Sequence, residues 1–237
     1  MPQELAANLA SYKSAAAVAT YSFYSFLQEE EYLFPKYFRT GESVLDLGCG
    51  VGRTSLLLHE LGMRVRGIDC SEVFIQTARR RFPYLDLRIG SFDRLEEPDA
   101  SYDNVLIAMN SIDCAFPEAQ RVDTLRECAR VLKPGGTFIY SSHNLKSMHW
   151  FSPYYGRRLR WKFRNFIHAF KEKRYILEDS QYLFYTVPSF VVEQTEEQGL
   201  KLLEIRGFNR FRSTRIDHYF SPYLHYVFTK PRESAHA

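Results

Sequence analysis

Three glycines at alternate positions, Gly48, Gly50 and Gly52, follow a short apolar run in this chain. The run 43–47 predicts a buried strand, and residues 53–61, with three consecutive leucines, predict a helix. Glycines let the backbone turn sharply and let a ligand lie against main-chain N–H groups at a helix start. This feature therefore predicts a strand–turn–helix unit whose turn belongs to a binding site.

Strands and helices are predicted to alternate along the rest of the chain. Further strands are predicted at 64–68, 85–89, 104–109 and 137–141, with helices at 71–81 and 121–131. A helix at 188–198 and strand candidates at 201–207 and 223–229 complete the pattern. Alternation at this spacing is typical of a parallel sheet with helices on both faces, so the predicted fold class is α/β.

Two acids stand at the ends of the first two predicted strands. Asp46 precedes the glycine turn, and Asp69 ends the second strand. The spacing G-x-G-x-G differs from the G-x-G-x-x-G of dinucleotide-binding turns, and a carboxylate at Asp46 would repel a pyrophosphate. A carboxylate at the second strand end can accept hydrogen bonds from both hydroxyls of a ribose. The two acids therefore favour a nucleoside with an ammonium group over a nicotinamide dinucleotide.

These residues resemble the class I, Rossmann-like S-adenosylmethionine-dependent methyltransferase family. The stretches that carry the resemblance are 44–52, 67–69, Gly90, 101–103 and 126–136. The resemblance implies a seven-stranded, mostly parallel sheet whose last strand is antiparallel. It also implies S-adenosyl-L-methionine as the methyl donor and S-adenosyl-L-homocysteine as the product.

The resemblance further implies which residues bind the methyl donor. They are Asp46, Gly48 and Gly50 at the methionine part, Asp69 at the ribose, Cys70 and Ser91 near the adenine, Asn110 facing the sulfonium, and Cys49 and Phe92 in the same turns. Aromatic side chains of the N-terminal segment, Tyr21 among them, either face the sulfonium or form an aromatic core stripe.

The methyl acceptor is left open by these motifs. Methyl transfer from a sulfonium needs mainly proximity and alignment, and a base is needed only where an acceptor hydroxyl must lose its proton. The predicted catalytic candidates are His143, after the fifth strand, and Asp113, after the fourth. His218 and His225 are weaker candidates, and all four also have a purely structural interpretation.

The chain is predicted to form a single domain, 1–237, built around the sheet. The predicted parts are an N-terminal helical lid (1–40), a cofactor-binding half (41–142), a cap insertion after the fifth strand (143–188), a closing helix and strands (189–230) and a tail (231–237). Insertions after the carboxyl ends of the strands in an open α/β sheet lie over the ligand crevice. The cap is therefore expected to contact the acceptor.

Positive charge is concentrated in one window of the predicted cap. The net charge of the chain is +3, but residues 146–174 hold nine basic residues against one acid, interleaved with aromatic side chains. This window fits a solvated basic helix, a pocket for an anionic, glycan-linked or membrane-attached acceptor, or a nucleic-acid surface. Nucleic acid is disfavoured because no RNA-binding module accompanies it.

Composition bounds the remaining expectations. The four cysteines form no C-x-x-C pair, so reduced thiols in a cytoplasmic protein are expected and no metal site is predicted. The sequence has no apolar run of transmembrane length and no secretory signal pattern, although peripheral membrane contact stays open. The predicted function is methylation of an oxygen or nitrogen of a small polar acceptor, such as a sugar, a glycolipid or a secondary metabolite. The alternatives are a tRNA or rRNA methyltransferase and a non-catalytic S-adenosylmethionine-binding protein.

Overall fold

The computed structural model describes residues 10, 12, 15–22, 25–147, 173–178, 181–207, 218–219 and 221–232. The strands are β1 (Ser43–Leu47), β2 (Arg64–Asp69), β3 (Asp86–Ile89), β4 (Tyr102–Ile107), β5 (Leu132–Asn144), β6 (Lys173–Glu178), β7 (Gln181–Thr186), β8 (Lys201–Arg206) and β9 (Tyr223–Thr229). The helices are α1 (Ala15–Tyr21), α2 (Gln28–Tyr37), α3 (Arg53–Glu60), α4 (Glu72–Arg81), α5 (Glu118–Val131) and α6 (Pro188–Glu196), with a 3₁₀ turn at Ser111–Cys114.

The sheet has the predicted α/β topology. Strands β3, β2, β1, β4 and β5 lie side by side in that order and are parallel. On the far edge of β5, β9 pairs antiparallel, and β8 pairs antiparallel with β9. These seven strands confirm the prediction of a mostly parallel sheet whose last strand is antiparallel.

A hairpin of β6 and β7 adds two strands to the predicted seven. β7 pairs parallel with the end of β5 at His143 and Asn144, while β9 pairs with His143 from the other edge. The hairpin therefore lies on the β4 side of β5, beyond the point where β4 ends at Ile107. It falls within the predicted cap, whose residues 148–172, with most of the basic window, are outside the described residues.

Several element boundaries differ by a few residues from the sequence prediction, and β5 differs most. β5 was predicted at 137–141 but runs from Leu132 to Asn144, since β9 pairs with it as far as His143. Helix α2 continues to Tyr37, two residues past Pro35. Ser71 is the N-cap of α4, because its Oγ accepts the Phe74 N–H at 3.3 Å.

Both faces of the central sheet are buried, which leaves its edge as the place for a site. Alternate residues point to opposite faces of a strand. In β1 and β4, Leu45 and Val105 pack in the cluster that includes α5, whereas Val44 and Leu106 pack in the cluster that includes α2. Parallel sheets covered on both faces bind ligands outside the carboxyl ends of their strands. No helix in the described part of the chain combines the length and apolar character needed to cross a bilayer.

Candidate functional site

The glycine turn after β1 packs closely against the loop after β4. Gly48, Gly50 and Gly52 have φ angles of 74°, 55° and 88°, in the left-handed region that favours glycine. A Cβ atom on Gly48 would lie 2.9 Å from both Cβ and Oγ of Ser111. The Gly48 N–H donates to the Ile68 carbonyl at 2.8 Å, so the turn is also tied to β2. A larger residue at Gly48 would have to displace one wall of this site.

A cleft lies beside this turn at the carboxyl ends of β1, β2 and β4. It encloses about 740 Å³ of empty space, including its solvent-open mouth. Of the residues predicted to bind the cofactor, those that line it are Gly48, Cys49, Gly50, Asp69, Cys70, Phe92 and Tyr21. Ser91 lines a smaller adjoining cavity that shares Cys70 and Phe92 with the first. Asp46 and Asn110 are not among the residues that line either cavity.

Asp69 is held by the backbone at the wall of the cleft. Its Oδ1 accepts the Ser71 N–H at 2.7 Å, and its Oδ2 accepts the Gly50 N–H at 2.9 Å. Burial raises the pKa of this carboxyl to about 6, although both N–H donors act in the opposite direction. An ionised carboxylate has about four lone-pair positions, so each oxygen can accept one more hydrogen bond. Asp69 is thus oriented to receive two further donors from a ligand.

Asp46 lies behind the turn and is fully buried. Its Oδ2 accepts the hydroxyls of Thr54 and Ser55, each at 2.6 Å, while its Oδ1 has no hydrogen-bond partner among the described residues. Burial raises the pKa of this carboxyl, and the two hydroxyls oppose the shift. Asp46 therefore stabilises the N-terminus of α3 through these two hydrogen bonds. Its direct contact with the methionine part of the cofactor stays a prediction.

Aromatic residues of the N-terminal segment and α4 line one side of the cleft. The rings of Tyr12, Tyr21 and Phe74 form a triangle with centroid distances of 5.8 to 6.0 Å. The Tyr12 hydroxyl lies 3.2 Å from Cys114 Sγ and donates to Gln181 Oε1 of β7 at 3.4 Å. The N-terminal segment and the hairpin therefore meet beside the cleft. Tyr21 was predicted either to face the sulfonium or to belong to an aromatic core stripe. The geometry agrees with both, because its ring packs on Phe74 and Tyr21 also lines the cleft.

Arg53 is a wall residue that sequence reasoning did not single out. It is the first residue of α3, lines the cleft, and is buried. Its guanidinium donates to both carboxylate oxygens of Glu30 at 2.6 and 2.7 Å, and to the Ser25 carbonyl at 3.0 Å. This bidentate pair ties α2 to the glycine turn. The position directly after Gly52 was the only sequence signal for it.

The two predicted catalytic candidates, His143 and Asp113, form a single hydrogen-bonded unit. His143 Nδ1 lies 2.8 Å from Asp113 Oδ2, and the His143 main-chain N–H donates to the same oxygen at 2.7 Å. Asp113 Oδ1 accepts from Arg121 Nη1 and from Ser142 Oγ, each at 2.7 Å. Because Asp113 is fully buried and engaged at both oxygens, the geometry makes it the partner of His143 and gives it no open position as a separate base.

The loop between the cleft and His143 has an unusual backbone. Met109 and Asn110 both adopt positive φ angles, 55° and 56°, which are uncommon for residues other than glycine. Met109 and Ser111 line the cleft, and Asn110 Nδ2 lies 3.5 Å from His143 Nε2. The Asn110 N–H donates to Ser141 Oγ at 2.8 Å, which fixes the loop to β5. Asn110 therefore connects the cleft to the histidine.

The weaker histidine candidates lie elsewhere. His225 is buried in β9, and burial lowers the pKa of its imidazole to about 4. The His218 carbonyl accepts a hydrogen bond from Asn144 Nδ2 at 2.6 Å. Neither residue lines the cleft. Within the described ranges, no group of three or more His, Cys, Asp or Glu side chains is arranged to hold a metal ion.

Comparison with known proteins agrees with this geometry. Residues 44–136 match the family model described as "Methyltransferase domain". A curated relative from Mycolicibacterium smegmatis, "Probable S-adenosylmethionine-dependent methyltransferase", is 39% identical over 104 residues, which cover 44% of this chain and 39% of that protein. A "Ubiquinone biosynthesis O-methyltransferase" from Coxiella burnetii is 26% identical over 175 residues, 70% of this chain and 67% of that protein.

A solved structure shows the same fold. It is described as one of the SAM-dependent methyltransferases of Methanosarcina mazei, and it matches with a TM-score of 0.66 at 18% identity. The match covers 89% of this chain and all of that one. The chain thus has this fold almost throughout, while it spans well under half the length of the first curated relative.

Proposed function

Because this chain belongs to the class I, Rossmann-like S-adenosylmethionine-dependent methyltransferase family, we propose that it methylates an oxygen or nitrogen of a small polar acceptor. The observation that carries the proposal is the convergence of two groups at one edge of the sheet. Asp69 and the glycine turn line a cleft, and the His143–Asp113 unit lies at the end of β5, which β4 separates from β1. Binding both reactants at one strand edge supplies the proximity and alignment that methyl transfer needs.

The residues of the cleft fit S-adenosyl-L-methionine. Asp69 keeps one acceptor position on each oxygen, which suits the two hydroxyls of a ribose. Gly48 and Gly50 line the cleft, so a ligand can lie against their backbone, and Cys70 and Phe92 form an adjoining wall. When bound, the cofactor supplies a methyl group on a positively charged sulfur. Tyr21 offers an aromatic ring to that charge.

His143 is proposed as the general base for a hydroxyl acceptor. Its Nδ1 faces the Asp113 carboxylate, so the neutral imidazole keeps its lone pair on Nε2, which points toward the Asn110 side of the cleft. The acceptor hydroxyl would give its proton to Nε2, and the imidazolium that forms would be stabilised by Asp113. An amine acceptor that is already neutral would not need this step.

For the acceptor we propose a sugar, a glycolipid or a secondary metabolite handled in the cytoplasm. The support is the polar pair Asn110 and His143 beside the cleft. Such a pair can hydrogen-bond the hydroxyl group of an acceptor. The basic residues of the 146–174 window remain a prediction for holding an anionic group, since most of that window lies outside the described residues.

Calorimetry and product analysis test the proposal. The unlabelled protein should bind S-adenosyl-L-homocysteine, and Asp69→Ala should weaken binding by about 2–4 kcal/mol through two lost charge-assisted hydrogen bonds. Asp123→Ala, an exposed acid on α5, should bind like the wild type. A panel of sugars, phenols and glycolipids with S-adenosyl-L-methionine should then yield a methylated product detected by mass spectrometry.

Other outcomes of the same experiments would separate the alternatives. Binding without methylation of any acceptor would indicate a non-catalytic S-adenosylmethionine-binding protein. Methylation of tRNA or rRNA, with binding that weakens steeply as salt rises, would indicate an RNA methyltransferase. No binding of S-adenosyl-L-homocysteine at all would refute the proposed function.

A further inference from the structure

Arg121 is a fully buried arginine at the centre of the strand-end network. It lies on α5, donates to Asp113 Oδ1 at 2.7 Å, and donates to Gln194 Oε1 of α6 at 3.0 Å. Its guanidinium carbon lies 4.9 Å from the centre of the Phe184 ring of β7. A buried cation is costly in an apolar core unless it is paired, and Arg121 is not among the residues that line the cleft.

We infer that Arg121 is a positioning residue that keeps Asp113 a hydrogen-bond acceptor at both oxygens and thereby holds the His143 proton on Nδ1. The inference deepens the proposed function, on which it rests for the role of His143 Nε2 as a base. It identifies Arg121 as the residue that decides which imidazole nitrogen is basic.

The hydrogen-bond pattern around Asp113 allows one assignment. A guanidinium and a main-chain N–H can only donate, so Arg121 and the His143 N–H use both carboxylate oxygens as acceptors. Ser142 Oγ also donates, to Oδ1. With the carboxylate ionised, His143 Nδ1 must carry the proton that bridges the 2.8 Å to Oδ2, and Nε2 is left without one.

Removing Arg121 would reverse this assignment. A buried carboxylate without its cation is strongly disfavoured and takes up a proton from solvent instead. The Oδ2 of the neutral acid still faces Nδ1, and its O–H would donate to that nitrogen. The imidazole proton would then move to Nε2, which could no longer accept a proton from a hydroxyl.

The tyrosine and glutamate side chains near Asp113 and Arg121 do not supply a positive charge to the Asp113 carboxylate. Tyr140, Tyr175 and Tyr226 come from β5, β6 and β9, and burial raises the pKa of each phenol, to about 12 for Tyr140. All three phenols are therefore neutral near pH 7. Glu118, on the first turn of α5, is paired with Lys173 at 2.6 Å. Among the described residues, the positive charge that is hydrogen-bonded to Asp113 belongs to Arg121.

Nitrogen NMR of the histidine side chains tests the inference on the protein without cofactor or acceptor. The 237-residue chain is labelled with ¹⁵N, and the His143 signals are assigned by comparison with His143→Gln. At a pH where the ring is neutral, the wild type should show a protonated Nδ1 and an unprotonated Nε2. A wild type with the proton on Nε2 would overturn the inference, whatever any variant does.

Variants on α5 complete the test. Arg121→Gln should move the His143 proton to Nε2, and Arg121→Lys, which keeps the charge, should restore it to Nδ1. Arg126→Gln, an exposed position on the same helix, should match the wild type. Asp113→Asn is a positive control for the signal, because an amide donating to Nδ1 should also move the proton to Nε2. If Arg121→Gln does not fold, the proton position in the wild type is the deciding measurement.

A folded Arg121→Gln that keeps the wild-type proton position would refute the inference and leave the methyltransferase proposal intact. Failure to bind S-adenosyl-L-homocysteine would refute the latter without changing the histidine signals, so the two failures are distinguishable.

Discussion

The affinity for the cofactor should fall when the pH is lowered through the pKa of Asp69. Burial raises the pKa of this carboxyl from the usual 3.8 to about 6, against the opposing effect of two backbone N–H donors. In the proposed site, the ribose hydroxyls donate to the ionised carboxylate. A protonated Asp69 loses acceptor strength, so only the ionised form binds well. Affinity should be constant above about pH 7 and about tenfold weaker at about pH 5.

The folding stability of the protein without ligand should change in the opposite direction. Because the pKa of Asp69 is higher in the folded than in the unfolded chain, the folded state binds more protons between about pH 4 and about pH 6. The Asp69 contribution to stability is therefore lost as the pH rises through this window. The difference between about 6 and the usual 3.8 corresponds to about 3 kcal/mol.

The assay is calorimetric titration with S-adenosyl-L-homocysteine from about pH 5 to about pH 8, in buffers of different ionisation enthalpy. Near pH 6, binding should release about half a proton, since about half of the Asp69 carboxyls are protonated before binding. Asp69→Asn should bind weakly with an affinity independent of pH, and Asp123→Asn should follow the wild type. A wild-type affinity that does not change with pH, or a pH dependence that persists in Asp69→Asn, would refute this reasoning.

Two further substitutions have expected outcomes. Gly48→Ala should weaken S-adenosyl-L-homocysteine binding roughly tenfold or more by calorimetry, since its Cβ would meet Ser111 at 2.9 Å. Gly199 is the control, because it has a similar φ of 81° but nothing within 4 Å of an added Cβ. Gly199→Ala should lose about 1 kcal/mol of folding stability through its backbone and bind the ligand normally. Equal affinities of the two variants for S-adenosyl-L-homocysteine would contradict the steric argument. Arg121→Met should lower the free energy of unfolding, measured in urea, by about 3–5 kcal/mol, because it leaves Asp113 buried without its cation. Arg126→Met, at an exposed position, should change it by less than about 0.5 kcal/mol. An Arg121→Met variant as stable as Arg126→Met would show that the buried ion pair does not stabilise the fold.

Features of the fold that depend on local pattern could be predicted from the sequence. The glycine turn, the Ser71 N-cap and the alternation of strands and helices that indicates a parallel sheet follow from residue types within a few positions of each other. Asp69 could be placed at the cleft for the same reason, because it ends a strand next to β1. These predictions needed no knowledge of how distant segments pack.

The strand-end network could not be predicted, since it depends on long-range register. Asp113 and His143 were expected as separate candidate bases, and only the packing of the 3₁₀ turn beside β5 joins them. Arg121 lies in a helix with several other charged residues, so its burial has no local signal. Asp46 was predicted at the ligand, and that contact stays a prediction. No feature of the sequence indicated that two hydroxyls of α3 also bind one of its oxygens.

The β6–β7 hairpin was missed for a related reason. The sequence mixes aromatic and basic residues there, and neither strand alternates clearly between apolar and polar positions. In the structure, the side chains of β7 are buried from Leu183 to Thr186, with Tyr185 against His143 and Phe184 against Arg121. A strand buried on both faces lacks the alternation by which strands are recognised.

A crystal structure of the protein with S-adenosyl-L-homocysteine tests the central claim most directly. We expect the ribose hydroxyls to lie within hydrogen-bond distance of the Asp69 carboxylate, with the sulfur on the side of the cleft that faces Asn110 and His143. A ligand bound elsewhere, or a ribose that does not contact Asp69, would contradict it.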